Sequence, residues 1–150
     1  MGSKNYMDVD INMRIFIFLT CFLLTCPLSA EEFSIFETQV KLNEKCTLQI
    51  TSSDMNLYSE DLSRIGTQNC SFIKLAETSL IHLERFNDNY VVLVESQSLD
   101  GNQCLSQYGA LIFRRNKPIE LVNWVKESRS CGADRERTVF EYFLKKSIAK

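Results

Sequence analysis

Between residues 38 and 51 the chain alternates, with Val40, Leu42, Leu48 and Ile50 apolar among polar neighbours on either side of a turn at residues 43–45. A period of two buries one face of a strand, so this stretch predicts a hairpin or two short strands. Residues 52–70, SSDMNLYSEDLSRIGTQNC, lose the alternation and turn polar and acidic. Ser59 ahead of Glu60, Asp61 and Leu62, with Gly66 behind them, reads as an N-cap and a terminator and predicts one short helix. From Phe72 the β character strengthens through FIKLAE, SLIHLERF and YVVLVESQS. Asn87, Asp88 and Asn89 tolerate left-handed backbone, so the second and third of these runs should pair antiparallel. LDGNQC then precedes YGALIF, and Pro118, which lacks an N–H, belongs at the head of the strand IELVNWV, leaving residues 114–117 as a loop.

The C-terminal run RTVFEYFLKKSIAK holds Val139, Phe140, Tyr142, Phe143 and Leu144, β-branched and aromatic types that predict a final strand. A helix burying Phe140, Phe143 and Leu144 is the alternative. Six to eight short strands and one small helix add up to a mainly β, β-rich α+β fold, a small antiparallel sheet that is curled or sandwich-like.

Composition places this pattern in one packed domain. Among 150 residues, 45% are hydrophobic and 24% charged, a globular balance. With 17 basic and 19 acidic side chains the net charge is only −2, so no overall basic field exists to neutralise a phosphate backbone, and nucleic acid is not an expected partner.

The stretch from Met13 reads MRIFIFLTCFLLTCPLSAEE: one Arg, an apolar run, then Pro and small residues ending at Ala30. Those are the three parts of a secretory signal peptide, with cleavage expected after Ala30. The apolar run falls short of the roughly 20 residues a membrane span needs, so no stable span is expected once the signal is removed. Asp8 and Asp10 suit a positively charged leader badly, which points to Met13 as the start. LLTC ending at Cys26 resembles a lipid-attachment box, but Thr25 and Pro27 fit it poorly. The expectation is a periplasmic or secreted domain over residues 31–150, preceded by an extension and signal over residues 1–30.

Removal of the signal leaves Cys46, Cys70, Cys104 and Cys131. An even number in an oxidising compartment implies two disulfides. Three pairings are open; the economical one joins Cys46 to Cys70 and Cys104 to Cys131, each closing a loop worth roughly 3 kcal/mol in the chain-entropy model. Asn69 opens an NCS sequon that matters only in a eukaryotic secretory pathway.

Catalytic inventory is thin. His82 is the only histidine, and no nucleophile motif accompanies it, so it reads as an ordinary strand residue, with a small enzyme using His82 and a nearby carboxylate as a further alternative. No HExxH, paired CxxC or GxSxG occurs, and neither a metal nor a cofactor is expected. DVDIN at residues 8–12 opens like a calcium loop but meets Met13 where glycine is needed. Glu60 and Asp61 read as helix-start and solubility features.

What remains is a surface. Arg114, Arg115 and Lys117 share one turn, and KESRSCGADRER sets Arg129, Arg135 and Arg137 around Cys131. A Cys104–Cys131 bond would tie the DGNQC turn to this second basic loop and pre-order an edge for docking, with Asn102 and Tyr108 as uncharged contacts. The competing reading is that these charges are solvated turn residues.

GNQC at residues 101–104, Tyr108 with its hydrophobic strand, and SCGAD at residues 130–134 form a pattern that resembles small exported bacterial proteins. A signal peptide ahead of a stapled β domain without catalytic groups is similar to periplasmic lysozyme inhibitors and to immunity proteins against wall-degrading toxins of type VI secretion systems. SQYGA at residues 106–110 departs from the inhibitors' Ser-Gly and Tyr motif. The resemblance implies a non-enzymatic, stoichiometric binder whose protein partner is a cell-wall hydrolase or toxin, with homodimerisation left open. The alternative is a non-inhibitory structural, adhesion or glycan-binding component of the envelope.

Overall fold

The computed structural model describes residues 30–52, 57–132 and 134–148, and the proposed signal peptide, its Cys26 and the DVDIN segment lie outside them. Four strands, β1 (Glu31–Ile35), β2 (Thr38–Leu42), β3 (Thr47–Thr51) and β4 (Leu57–Asp61), form an antiparallel meander in that order. A second antiparallel sheet runs β5 (Cys70–Phe72), β7 (Asn89–Asp100), β8 (Gln103–Arg114), β9 (Glu120–Ser128), with β6 (Leu83–Phe86) also paired to β7. One helix, α1 (Arg137–Ile148), closes the described chain.

The second sheet is buried on both faces. Val92, Val94, Leu111 and Phe113 join Val40, Leu42, Leu48 and Ile50 of the first sheet in one apolar cluster. Val91, Leu93, Ala110 and Ile112 join Phe140, Phe143 and Leu144 of α1 in another. That is why YVVLV and GALIF run apolar without alternation, whereas β2 and β3 alternate: a strand packed on both sides has no polar face.

The expected β fold, the β2–β3 hairpin and the β6–β7 pair about Asn87 and Asp88 are all present. Both disulfides take the economical pairing. Cys46–Cys70 ties the β2–β3 turn to the head of β5, joining the two sheets, and Cys104–Cys131 ties β8 to the segment after β9. Between the sheets Gly66 passes so close to β7 that a methyl there would fall 2.2 Å from Ser96 Cβ.

Two local expectations are corrected. Residues 59–61 are not the start of a helix; they belong to β4, because pairing with β3 from Leu57↔Thr51 to Asp61↔Thr47 satisfies their backbone. The C-terminal run is helical and not a strand. Phe140, Phe143, Leu144 and Ser147 fall at i, i+3, i+4 and i+7, so a helix brings them all onto the open face of the second sheet, which a single strand could not cover.

Candidate binding cleft

Three tight connections converge at one end of the molecule. Ile35 pairs with Thr38, so Phe36 and Glu37 alone turn the β1–β2 hairpin, both left-handed at φ 48° and 62°. That turn type favours Asn and Gly; a Phe and a Glu in it hold strain of order 1 kcal/mol or more each, which the surrounding fold must sustain. Asn87 (φ 54°) turns β6 into β7, and Asn116 (φ 59°) lies in the loop between β8 and β9.

Between these turns opens a cavity of about 550 Å³ whose wall includes Phe36, Arg85, Tyr90, Arg115 and Lys117. The Phe36 and Tyr90 rings meet edge to face at 5.1 Å. Arg115 lies over Phe36 with its guanidinium carbon 5.5 Å from the ring centre, and Arg85 lies over Tyr90 at 5.6 Å. A guanidinium laid on a ring is held in place and keeps its N–H edge for a planar oxyanion. Arg85 spends its Nε–H on the carbonyl of Asn87. Among the described residues, neither Arg115 nor Lys117 has a carboxylate partner. Arg114 also borders the cavity, and Asp88 is its one acidic side chain.

Arg114 differs from its neighbours. Its Nε–H donates to Asn89 Oδ1 at 2.6 Å, one terminal nitrogen pairs with Glu120 at 2.8 Å and the other donates to Ser147 of α1. It binds the helix to the sheet.

In the second basic cluster Arg135 turns in against the middle of β7 and β8, and Arg137 lies along β6. Arg135 packs over the buried Tyr108 ring at 5.1 Å, donates to the Ser130 carbonyl and stands 3.8 Å from Glu95. Glu95 is only 1% exposed and accepts from Ser106 Oγ at 2.7 Å, Gln97 Nε2 at 2.7 Å and the Gly132 N–H at 3.0 Å. Arg137 pairs with Glu84 at 2.6 Å, donates to the Arg85 carbonyl and covers the Phe86 ring. Tyr108, expected as a rim contact, is thus part of the interior. Arg129 and Asn102 are exposed, Asn102 in the β7–β8 turn. The disulfide between Cys104 and Cys131 does join that turn to the second basic loop, as expected, but the loop's Arg135 faces the fold and Arg137, at the head of α1, pairs with Glu84 at the surface.

His82 is buried and more than an ordinary strand residue. Its Nδ1 sits 2.5 Å from Asp134 Oδ1, its Nε2 sits 3.0 Å from Glu84 Oε1, and its ring packs on Phe140. Burial pushes the Asp134 carboxyl up, but the hydrogen bond with His82, those from the backbone N–H groups of Arg135 and Ala76, and the electrostatic attraction of the His82 ring outweigh it and hold Asp134 below the ordinary aspartate range. Both ring nitrogens are engaged in tying the entry of α1 to β6.

The eight residues expected to bind a partner are therefore dispersed: Arg114, Arg115 and Lys117 lie at the end of β8 and just beyond it, Tyr108 and Arg135 at its middle, Asn102 in the turn before it, Arg129 just past β9, and Arg137 against β6. Arg115 and Lys117 come together with Phe36, Arg85 and Tyr90, three residues that local reading did not select. The turn signal at residues 87–89, beside Arg85 and Tyr90, was the available clue. Comparison with protein-family models, with curated proteins and with solved structures finds no match to this chain. Among the described residues no helix is long and apolar enough to cross a membrane, and no group of metal-ligating side chains comes together.

Proposed function

We propose that the protein is an exported, stoichiometric binder that docks its basic cleft onto the carboxylate-lined active groove of a peptidoglycan-degrading enzyme, as an inhibitor or immunity protein. The observation that carries this reading is the pair Arg115, laid on the Phe36 ring, and Lys117 in the wall of an aromatic-lined cavity, neither with a salt-bridge partner among the described residues. Enzymes that cleave glycosidic bonds use paired carboxylates, and a guanidinium fixed on a ring offers them a charge-assisted, two-pronged partner at little entropic cost. Two disulfides suit such a binder to an oxidising compartment, where the periplasm or the exterior is its proposed location.

The test is inhibition of a panel of muramidases and lytic transglycosylases by the oxidised protein, beside Arg115→Glu/Lys117→Glu. The reading expects one-to-one inhibition of a panel member, weakened at least a hundredfold by the double reversal. Full activity of every enzyme at stoichiometric excess, or equal inhibition by the variant, would overturn it.

A further inference from the structure

The first sheet ends in a strand whose outer edge borders an apolar groove. β1 pairs with β2 alone among the described strands. Four consecutive β1 residues, from Glu31 through Phe33 to Ser34, form one wall of a cavity of about 530 Å³, and Leu75, Leu80, Ile81 and Leu83 form the other. Leu80 is 64% exposed, and Leu75 and Leu83 are more than a third exposed. An unpaired strand edge beside exposed leucines is a template for another strand unless something blunts it.

Charge selects the occupant. Glu31 pairs with Lys74 at 2.5 Å and Glu32 with Lys41 at 3.0 Å, so the groove's rim is already neutral within one chain. A strongly charged partner finds no field to meet there, whereas two copies bring their rims together without like-charge repulsion. The strand itself is short and centred on Phe33, which a two-fold axis places opposite its own symmetry mate, with Glu32 opposite Ser34. We propose that the chain forms an isologous homodimer by antiparallel pairing of β1 with β1 of a second copy, Leu75, Leu80 and Leu83 burying across the axis. Phe36 follows β1 directly, so the dimer holds its two basic clefts about 20 Å apart along the joined strands, a bivalent arrangement. The dimer does not depend on the cleft's ligand.

Sedimentation of the oxidised protein across a micromolar-to-millimolar series should show the mass rising from one chain to two. Leu80→Asp, at an exposed position, should remain a single chain throughout with its unfolding midpoint unchanged, while Arg115→Glu/Lys117→Glu should dimerise like the parent. Glu32→Cys/Ser34→Cys should trap a covalent dimer on oxidation, and Ser59→Cys on the opposite edge strand β4 should not. A single-chain mass at every concentration, open-ended growth beyond two chains, undiminished dimerisation of Leu80→Asp, or trapping through Ser59 instead would each overturn the proposal.

Discussion

At residues 129–137 the cations Arg135 and Arg137 turn back into their own domain, meeting Glu95, Tyr108, Glu84 and Phe86. At residues 114–117 Arg114 pairs with Glu120, whereas Arg115, laid on the Phe36 ring, and Lys117 line the cavity without a carboxylate partner among the described residues. Both stretches read as basic turns beside a strand, yet among the described residues the first leaves only the exposed Arg129 without a carboxylate, whereas the second sets two such cations, Arg115 and Lys117, on one cavity. The difference comes from what lies opposite in space: the buried Glu95 beside Arg135 and Glu84 beside Arg137, against the Phe36 and Tyr90 rings beside Arg115 and Lys117. Local charge density thus identifies turns, and the placement of counter-charge decides which of them can bind.

The sharpest way to break this contrast is at Glu95. Glu95→Ala should lose about 3 kcal/mol of unfolding free energy in a denaturant titration, because the Arg135 side chain and the Ser106 hydroxyl are left buried without their acceptor and the Gly132 N–H loses its partner. A loss under about 1 kcal/mol, within the range of an exposed pair, would place Glu95 outside the load it is assigned. Arg137→Ala should cost about 1 kcal/mol by the same titration, since its pair with Glu84 is partly exposed and its cover of Phe86 is a surface contact.

A smaller effect belongs to acid. Asp134 titrates lower in the folded chain than unfolded, so the folded state binds fewer protons; the stability it contributes is full above the ordinary aspartate range and is lost as pH falls through its lowered value. Unfolding titrations along an acid series should therefore show a shallower decline for Asp134→Asn than for the parent, and identical slopes would contradict the assignment. Smallest of all, Arg115→Ala/Lys117→Ala should shift stability by no more than about 0.5 kcal/mol.

The core of the fold was legible because its strands carry it openly: alternation in β2 and β3, unbroken apolar runs in β7 and β8, and cysteines whose spacing favours neighbouring loops. What misled was composition read without a partner surface. Val139, Phe140, Tyr142 and Phe143 favour a strand by type, but the open face of the second sheet selects the helical spacing of Phe140, Phe143, Leu144 and Ser147. Ser59 and Gly66 look like helix ends, yet β3 offers the intervening residues a ladder. At the cleft, Arg115 and Lys117 could be selected from local density, while Phe36 and Arg85 are joined to them only through the hairpin turns. Glu95 reads in sequence as the polar end of a strand, and nothing near it announces the inward turn of residues 130–135 that buries it.

The central claim is that the two basic clusters do different work, and it can be tested before any partner is known. Denaturant unfolding of Arg135→Ala/Arg137→Ala and of Arg115→Ala/Lys117→Ala should be measured side by side under oxidising conditions. The account predicts a loss of about 3 kcal/mol or more for the first and no more than about 0.5 kcal/mol for the second. Equal losses, or a larger loss for the second pair, would contradict it.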